Sequence, residues 1–329
     1  MFKKSNNKVL AIVFVVLLAF VVLINLVDAR RGDRTFRNEI FDIDTADISS
    51  ITIDPKGFDR EDVRIFKTSN GWKVSSGEKE YAAEKNIVRN ILGELAGMTA
   101  QRVAATKEDN WKKYEVTDSL ATKVLVETGK EEALLYIGRF SYRQPRNPQQ
   151  MQMPYGQQQG TMSTYVRLGN EDEVYSVEGF IGMTFNRDLD DFRNRTVIKS
   201  NRFDWEELSF RYPADSSFTL SRTDQGWFAD GIKADSASVA QYLQTASNLS
   251  SSHFIKDAQP QGSPVFELQV NGTELEQPIT VQAYPADTVY QYYVSSSQNP
   301  GVYFNGAQAD LADKIFVGKS ELLNITLEE

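Results

Sequence analysis

The chain has 329 residues, of which 45 are acidic and 36 basic; its formal net charge is −9, and it contains one histidine and no cysteine. A surface with this acidic excess repels polyphosphate, so we expect no nucleic-acid partner. The usual zinc and iron sites need several cysteine or histidine ligands, which this chain cannot supply. The charged and aromatic fractions are typical of a folded globular protein.

An apolar run close to the amino terminus predicts a membrane-spanning helix. Residues 9–27 contain one polar side chain, Asn25, and a helix of that length spans roughly 28 Å, enough to cross the hydrocarbon core of a bilayer. A cleaved secretion signal is the alternative, because lysines precede the run and Val27-Asp28-Ala29 loosely fits a cleavage site. The run is longer than the apolar core of a usual signal, so we predict a retained anchor in residues 1–30 with a short cytoplasmic tail.

The basic residues on either side of the anchor do not decide its orientation, because lysines precede the apolar run and arginines follow it. Long domains cross the membrane largely regardless of flanking charge, and an anchor this early behaves like an uncleaved export signal. The absence of cysteine adds a little weight to an exported domain. We therefore expect a single-pass protein of the bacterial inner (cytoplasmic) membrane with its C-terminal domain in the periplasm.

Behind the anchor, alternating apolar residues predict a β-meander followed by a helix. Ile51-Thr52-Ile53 and residues 63–66 alternate as strands, and a turn at Asn70-Gly71 leads into a third strand that begins at Trp72. The apolar residues that follow recur at the helical period and predict one buried stripe, made up of Ile87, Val88, Ile91, Leu92, Leu95 and Met98.

The same order of elements returns later in the chain, which predicts a duplication. Strands at 208–210 and 218–220 precede Gly226-Trp227, and a helix starting near Asp235 or Ser236 carries the stripe Val239, Tyr242, Leu243, Ala246 and Leu249. Gly71-Trp72 and Gly226-Trp227 are 155 positions apart and the two helix stripes are 151 apart, so the register holds over two kinds of element.

Each copy continues with four predicted strands and a short helix. The strands are expected at 124–126, 134–138, 164–168 and 174–177 in the first copy, and at 266–270, 279–284, 290–294 and 302–304 in the second. The short helices are expected at 180–189 and 307–316. The Gln-rich loop 144–161, which also contains Pro and Met, interrupts the first copy and is expected to be mobile, because it buries too little apolar surface to fix its conformation.

These patterns predict an α+β protein with one N-terminal transmembrane helix followed by two similar lobes. Each lobe is expected to consist of antiparallel β-sheets, built as meanders, packed with short helices. The first repeat lobe covers residues 31–200, including the loop 144–161, and the second covers residues 201–329.

The residues that could carry chemistry do not form a recognisable site. A Ser-His-Asp triad would have to use His253, which we place on the solvent face of the strand after the second helix, because Arg102 lies near the equivalent position of the first copy. Asp188, Asp190 and Asp191 could bind a hard cation, but their spacing lacks the glycine and the distal glutamate of an EF-hand loop and arginines flank them. We interpret them as a self-paired helix end.

Two further features have a structural interpretation. Trp72 and Trp227 could serve as sugar-stacking platforms, but their duplication beside turn glycines favours core or hairpin anchors. No glycine-rich nucleotide-binding loop is present in the sequence. We therefore predict no catalytic, cofactor-binding or metal-binding residues, no cofactor, no nucleotide ligand and no enzymatic activity.

Several motifs resemble those of one family of bacterial proteins, catalogued as domain of unknown function 4340. They are the amino-terminal anchor, Ile51-Thr52-Ile53, Gly71-Trp72, the helix start at Tyr81-Ala82-Ala83, and the junction Phe192-Arg193-Asn194-Arg195, in which Asn194 replaces an acidic residue. The resemblance covers nearly the whole chain. It implies no reaction, since none is established for the family; its members are often encoded near ATP-binding-cassette (ABC) transporter subunits, including the gliding-motility type, which implies an accessory role.

Our leading hypothesis is a non-enzymatic, membrane-anchored periplasmic binding or scaffold module, accessory to an ABC-transporter-like envelope complex. Its expected partners are the membrane and membrane proteins such as transporter subunits. One alternative is a carbohydrate- or cell-wall-binding protein that uses a groove between the lobes. Another is a hydrolase that acts through carboxylates from both lobes, which would have to converge within roughly 5–10 Å.

Overall fold

The computed structural model describes residues 39–41, 43–57, 61–143, 161–286 and 289–324. The predicted anchor in residues 1–30 and residues 144–160 of the Gln-rich loop lie outside these ranges. Among the helices that are described, none combines the length and the apolar character needed to cross a membrane.

The protein is α+β and consists mostly of antiparallel strands, as the alternating patterns predicted. The strands are β1 (Ile48–Asp54), β2 (Val63–Thr68), β3 (Gly71–Ser76), β4 (Lys79–Ala82), β5 (Ala100–Ala105), β6 (Thr122–Thr128), β7 (Glu132–Arg143), β8 (Thr161–Leu168), β9 (Val174–Glu178), β10 (Thr196–Lys199), β11 (Trp205–Arg211), β12 (Phe218–Thr223), β13 (Gly226–Ala229), β14 (Ile232–Lys233), β15 (Asn248–Ser250), β16 (Phe266–Gly272), β17 (Ile279–Pro285), β18 (Tyr292–Ser296) and β19 (Tyr303–Asn305). The helices are α1 (Lys85–Ala96), α2 (Trp111–Tyr114), α3 (Gly182–Phe185), α4 (Leu189–Phe192), α5 (Ser236–Ala246), α6 (Leu311–Ile315) and α7 (Lys319–Leu323).

Contacts along the chain divide it into two compact units, each assembled from stretches that are distant in sequence. The described residues within Met1–Ile48 and Leu92–Phe185 form the first unit, and those within Ser49–Ile91 and Asn186–Glu329 form the second. These limits differ from the predicted repeat lobes 31–200 and 201–329, because a repeat is defined by the order of elements and a compact unit by their contacts. The lobe boundary stays a prediction.

The first unit contains five antiparallel strands in the order β6-β7-β8-β9-β5. All four residues from Val174 to Val177 in β9 are buried, so both faces of this strand are covered. A small core on one face contains Val116, Ala121, Tyr136, Tyr165 and Val174.

The second unit contains an eight-stranded antiparallel sheet in the order β14-β13-β12-β11-β16-β17-β18-β19, the meander β4-β3-β2-β1 and the strand pair β10-β15. The helix α5 begins where the sequence predicted, since the Asp235 carboxylate accepts a hydrogen bond of 2.8 Å from the Ser238 backbone N–H and caps the first turn. Four residues of its predicted stripe, Val239, Tyr242, Leu243 and Ala246, are buried in the core of this unit. The fifth, Leu249, is also in the core but lies in β15, because the helix ends at Ala246.

The β2-β3 and β12-β13 hairpins close with the same turn. The Thr68 hydroxyl donates to the Gly71 carbonyl at 2.7 Å, and the Thr223 hydroxyl donates to the Gly226 carbonyl at 3.1 Å. The two glycines have φ angles of +113° and +110°, a conformation that residues with a Cβ rarely adopt. The two Gly-Trp strands thus follow turns of the same geometry, in agreement with the predicted correspondence.

The two hairpins also meet the following chain in the same way. The Ala83 N–H donates to the Trp72 carbonyl at 3.0 Å, and the Ala234 N–H donates to the Trp227 carbonyl at 2.9 Å. In both copies this bond joins the tryptophan strand to the residue that follows the next strand, shortly before the amphipathic helix.

The predicted short elements are partly wrong. The single helix expected at 180–189 is two helices, α3 and α4, because Asp188 between them is extended, with φ −87° and ψ 163°. The helix expected at 307–316 is a 3-10 turn followed by α6. The strand expected to begin at Tyr290 begins at Tyr292, since Gln291 has a left-handed φ of +61°.

The turn glycines can be tested by substitution. We expect Gly71→Ala and Gly226→Ala each to lower the free energy of unfolding by on the order of 1–3 kcal/mol, because alanine must adopt a strained positive φ there. Gly93→Ala is the control: Gly93 lies inside α1 with open space around it, so alanine should raise the free energy of unfolding by about 0.5–1 kcal/mol. Urea unfolding measures all three, and a neutral effect at both turn positions would contradict the shared turn.

Candidate functional site

Two of the motifs that carried the family resemblance pair with each other in the second unit. The Glu84 N–H donates to the Phe192 carbonyl at 2.8 Å, the Asn194 N–H donates to the Ala82 carbonyl at 2.8 Å, and Ala83 and Arg193 form an antiparallel bridge between these bonds. The start of α1 is thereby fixed to the junction segment. Both motifs have a structural role in this arrangement.

The Arg193 guanidinium lies between two aromatic rings. Its Cζ atom is 3.6 Å from the centroid of the Tyr81 ring and 3.7 Å from that of Phe254. One Nη atom donates to the Asp190 carboxylate at 2.8 Å, and the residue is only 3% exposed. Stacking on both faces of a planar, desolvated cation stabilises the position, and a lysine could not reproduce it.

Burying Arg193 and its neighbour Arg195 also costs free energy, because polar atoms are left without partners. The Nε atoms of Arg193 and Arg195 are buried and have no hydrogen-bond partner among the described residues. Each such atom costs about 1–3 kcal/mol relative to a satisfied one. The stacking and the charge pairing must therefore exceed that cost for the cluster to persist.

A second link joins β4 to the segment that carries Phe254. The Lys79 ammonium donates to the Asp257 carboxylate at 2.5 Å, and this hydrogen bond raises the pKa of Lys79. Both side chains are more than half exposed, so the pair adds little stability by itself. Lys79 is the first residue of β4 and lies two positions before Tyr81, so the two side chains share a face of the strand.

The acidic group around α4 is engaged by neighbouring arginines. Asp190 pairs with Arg193, and Asp191 pairs with Arg195 at 2.9 Å, as the interpretation of a self-paired helix end required. In the part of the chain that the structure describes, no three His, Cys, Asp or Glu side chains are grouped so that they could hold a metal ion.

His253 is exposed, as predicted, but it does not lie on a strand. The strand β15 ends at Ser250, and only Phe254 returns to the sheet, through an isolated bridge to Phe304. The Asn305 N–H donates to the His253 carbonyl at 2.9 Å, so the backbone is held while the imidazole faces solvent. No described carboxylate pairs with this imidazole, which leaves it without the orienting partner that a catalytic triad needs.

The two tryptophans of the repeat are half-buried, and Trp227 packs against the core of the second unit. Their backbone carbonyls are the acceptors that fix the following chain. The geometry therefore agrees with hairpin anchors.

The first unit contains a second stacked arginine, which the sequence did not indicate. The Arg167 Cζ atom is 3.7 Å from the Trp111 ring centroid and 3.9 Å from that of Tyr136, and its Nε donates to the Val116 carbonyl at 3.2 Å. Arg167 is 3% exposed. In the sequence of a strand, an arginine that faces the core looks the same as one that faces solvent. The structural role of Arg167 is therefore visible only from its contacts.

A groove of about 580 Å³ lies within the first unit, in the size range of ligand sites, ~300–1,000 Å³. Eight of the eleven described lining residues are apolar or glycine, and the other three supply two carboxylates and one amide; the lining residues are Ile40, Phe41, Ile43, Leu125, Ala133, Leu134, Leu168, Gly169, Glu131, Glu132 and Asn170. The sequence prediction missed this site, because its residues come from four separate segments.

Backbone hydrogen bonds hold the walls of the groove in place. The Ile40 N–H donates to the Met98 carbonyl at 3.0 Å, and the Gly169 N–H donates to the Leu134 carbonyl at 2.7 Å. A Cβ atom on Gly169 would lie 3.0 Å from the Cβ of Leu134, so a glycine permits this close approach. The groove is preformed and most of its wall is apolar, which suits a partner with an apolar segment.

The stacked arginine of the second unit gives a direct stability prediction. Arg193→Lys should lower the free energy of unfolding by on the order of 2 kcal/mol, because lysine loses the flat stacking on Tyr81 and Phe254. Arg195→Lys is the control, since the Arg195 side chain is 33% exposed and its ion pair should contribute less than about 1 kcal/mol. Equal losses in urea unfolding would show that charge alone, without stacking, holds the junction.

Comparison with known proteins places the chain in a family. Residues 72–269 match the family described as Domain of unknown function (DUF4340). No curated protein and no solved structure matches the chain. The match spans more than half of the sequence and includes the Gly226-Trp227 hairpin and the Phe192-Arg193-Asn194-Arg195 junction, and the chain accordingly belongs to the DUF4340 family.

Proposed function

We propose that this protein is a non-enzymatic binding module of the bacterial inner membrane, anchored by residues 1–30 and folded on the periplasmic side. In this proposal it is an accessory component of an ABC-transporter-like envelope complex, and its two copies of the hairpin-helix unit form similar lobes. The groove of the first unit carries the proposal, because it is a preformed apolar surface that an accessory protein can offer to a partner.

The use of the charged groups supports association over catalysis. The densest carboxylates, Asp190 and Asp191, are paired with arginines, and Arg167 and Arg193 are stacked between rings. Groups engaged in this way stabilise the fold and are not free to bind a substrate.

The lining of the groove indicates the chemistry of its partner. Aliphatic side chains suit an apolar polypeptide segment, and Glu131 and Glu132, both exposed, suit a basic residue beside it. A carbohydrate would need an open aromatic platform, and among the described lining residues the single aromatic one, Phe41, is 7% exposed. The groove therefore favours a protein partner over the alternative of a sugar.

Charge reversal at the groove tests this function. A photo-crosslinking residue at the exposed position Asn170, in the full chain and in intact cells, should trap a membrane protein. Glu131→Lys combined with Glu132→Lys should cut the yield on the order of tenfold or more, because like charges would then face each other across the interface.

The matched control for this experiment combines Glu108→Lys with Asp109→Lys. It makes the same change in net charge at exposed residues of the same unit, away from the groove, and should keep the yield. Equal yields from the two variants, or no protein adduct at Asn170, would overturn the proposal.

A further inference from the structure

The hairpin formed by β7 and β8 differs in charge from the rest of the chain. From Ala133 to Asn170 the sequence contains no aspartate or glutamate but four arginines, in a protein whose net charge is −9. Two of these arginines, Arg139 and Arg143, are described and exposed. This stretch is therefore a local basic region on an acidic protein.

The far end of the same hairpin exposes apolar side chains. Leu135 to Ile137 in β7 are buried, whereas Tyr142 further along the strand is 50% exposed. Met162, its partner across the hairpin, is 49% exposed, and Phe180 is 48% exposed. We call Phe140, Tyr142, Met162 and Phe180 the hairpin patch.

Hydrogen bonds hold the hairpin patch in a fixed arrangement. The Thr164 hydroxyl donates to the Gly179 carbonyl at 2.8 Å and accepts from the Ile181 N–H at 3.2 Å, and this fixes the segment that carries Phe180 against β8. The rings of Phe140 and Phe180 are then 4.5 Å apart. The apolar surface is built by the fold and does not arise from a chance side-chain position.

One face of the hairpin is free of acidic side chains. Phe140 lies opposite Thr164 and Tyr142 lies opposite Met162, so these four residues share a face. The carboxylate nearest to them in strand register, Glu178, lies opposite Ser163 and therefore belongs to the other face. The exposed rings and the methionine thus share a face without an anion. Arg143 pairs with Thr161 and belongs by the same alternation to the other face, together with Ser163 and Glu178.

We propose that the hairpin patch contacts an anionic lipid surface. Aromatic rings and apolar side chains partition into the headgroup region of a bilayer, and the long arginine side chains that alternate with them along β7 can bind phosphates beside the hairpin. The rest of the protein, with its acidic excess, is repelled by the same surface, so the contact would set the orientation of the first unit at the membrane. This inference rests on the proposed anchoring, which keeps the patch close to lipid.

Site-specific fluorescence tests the contact, because a cysteine-free chain can be labelled at a single introduced thiol. The full chain with Met162→Cys, carrying an environment-sensitive fluorophore, is reconstituted into vesicles of phosphatidylglycerol and phosphatidylcholine or of phosphatidylcholine alone. In the anionic vesicles we expect a blue-shifted emission and quenching by spin-labelled lipid, both weaker at high salt. In neutral vesicles, the blue shift and the quenching should both be several-fold smaller.

Two variants sharpen this experiment. Ile232→Cys is the matched control, since Ile232 is an apolar residue of the second unit with a similar exposure of 53%, and its label should stay in water. Arg139→Gln combined with Arg143→Gln should abolish most of the shift at position 162. A label at 162 that stays in water, or a shift that does not depend on the arginines, would overturn the inference.

Two further outcomes separate this inference from the proposed function. A chain that floats with the vesicles while its label at 162 stays in water contradicts the lipid contact and leaves the anchor intact. A chain that floats with neither vesicle contradicts both. If a crosslinker at Tyr142 traps a discrete protein in cells and no lipid, the hairpin patch is a protein interface and the lipid contact is wrong.

Discussion

The burial of one arginine between two aromatic rings organises the second unit. Arg193 stacks on Tyr81 at the end of β4 and on Phe254 beyond β15, and its backbone pairs with Ala83 just before α1. Bringing such distant segments together costs chain entropy. A desolvated cation between two rings, paired with Asp190, supplies a specific contact that can offset this cost.

The same device occurs in the first unit, where Arg167 lies between Trp111 and Tyr136. A buried guanidinium can form hydrogen bonds in its plane and stack on aromatic rings on both faces. It can therefore link several elements by specific contacts, whereas an apolar side chain would only fill the space between them. Two of the chain's arginines are thus part of the architecture. The family motif that includes Arg193 accordingly has a role in folding, and the groove and the hairpin patch are the surfaces that we propose for function.

The elements that the sequence predicted correctly are those with local physical causes. The strands of the two meanders follow from period-2 alternation, the stripe of α5 follows from the helical period, and Gly71 and Gly226 mark turns that need a positive φ. The short helices α3 and α4 were predicted as one, because four-residue helices are decided by their tertiary surroundings.

The candidate sites depended on long-range contacts and could not be predicted in the same way. The groove combines Ile40 and Phe41 with residues from β6, β7 and the end of β8, and no spacing in the sequence indicates that these meet. The hairpin patch is an intermediate case: the acid-free stretch is visible in the sequence, but the shared face of Tyr142 and Met162 depends on the strand register.

The central claim is that this protein acts by association at a membrane, and releasing the folded chain from its anchor tests it most directly. Residues 1–30 would be replaced by a cleavable secretion signal, and the yield of partner crosslinked at Asn170 would be compared with that of the anchored chain at equal periplasmic abundance. Tethering holds a module near its partners at an effective concentration in the ~mM range, so the account predicts that most of the crosslinked product disappears on release. A released chain that crosslinks its partner as well as the anchored one would contradict the account.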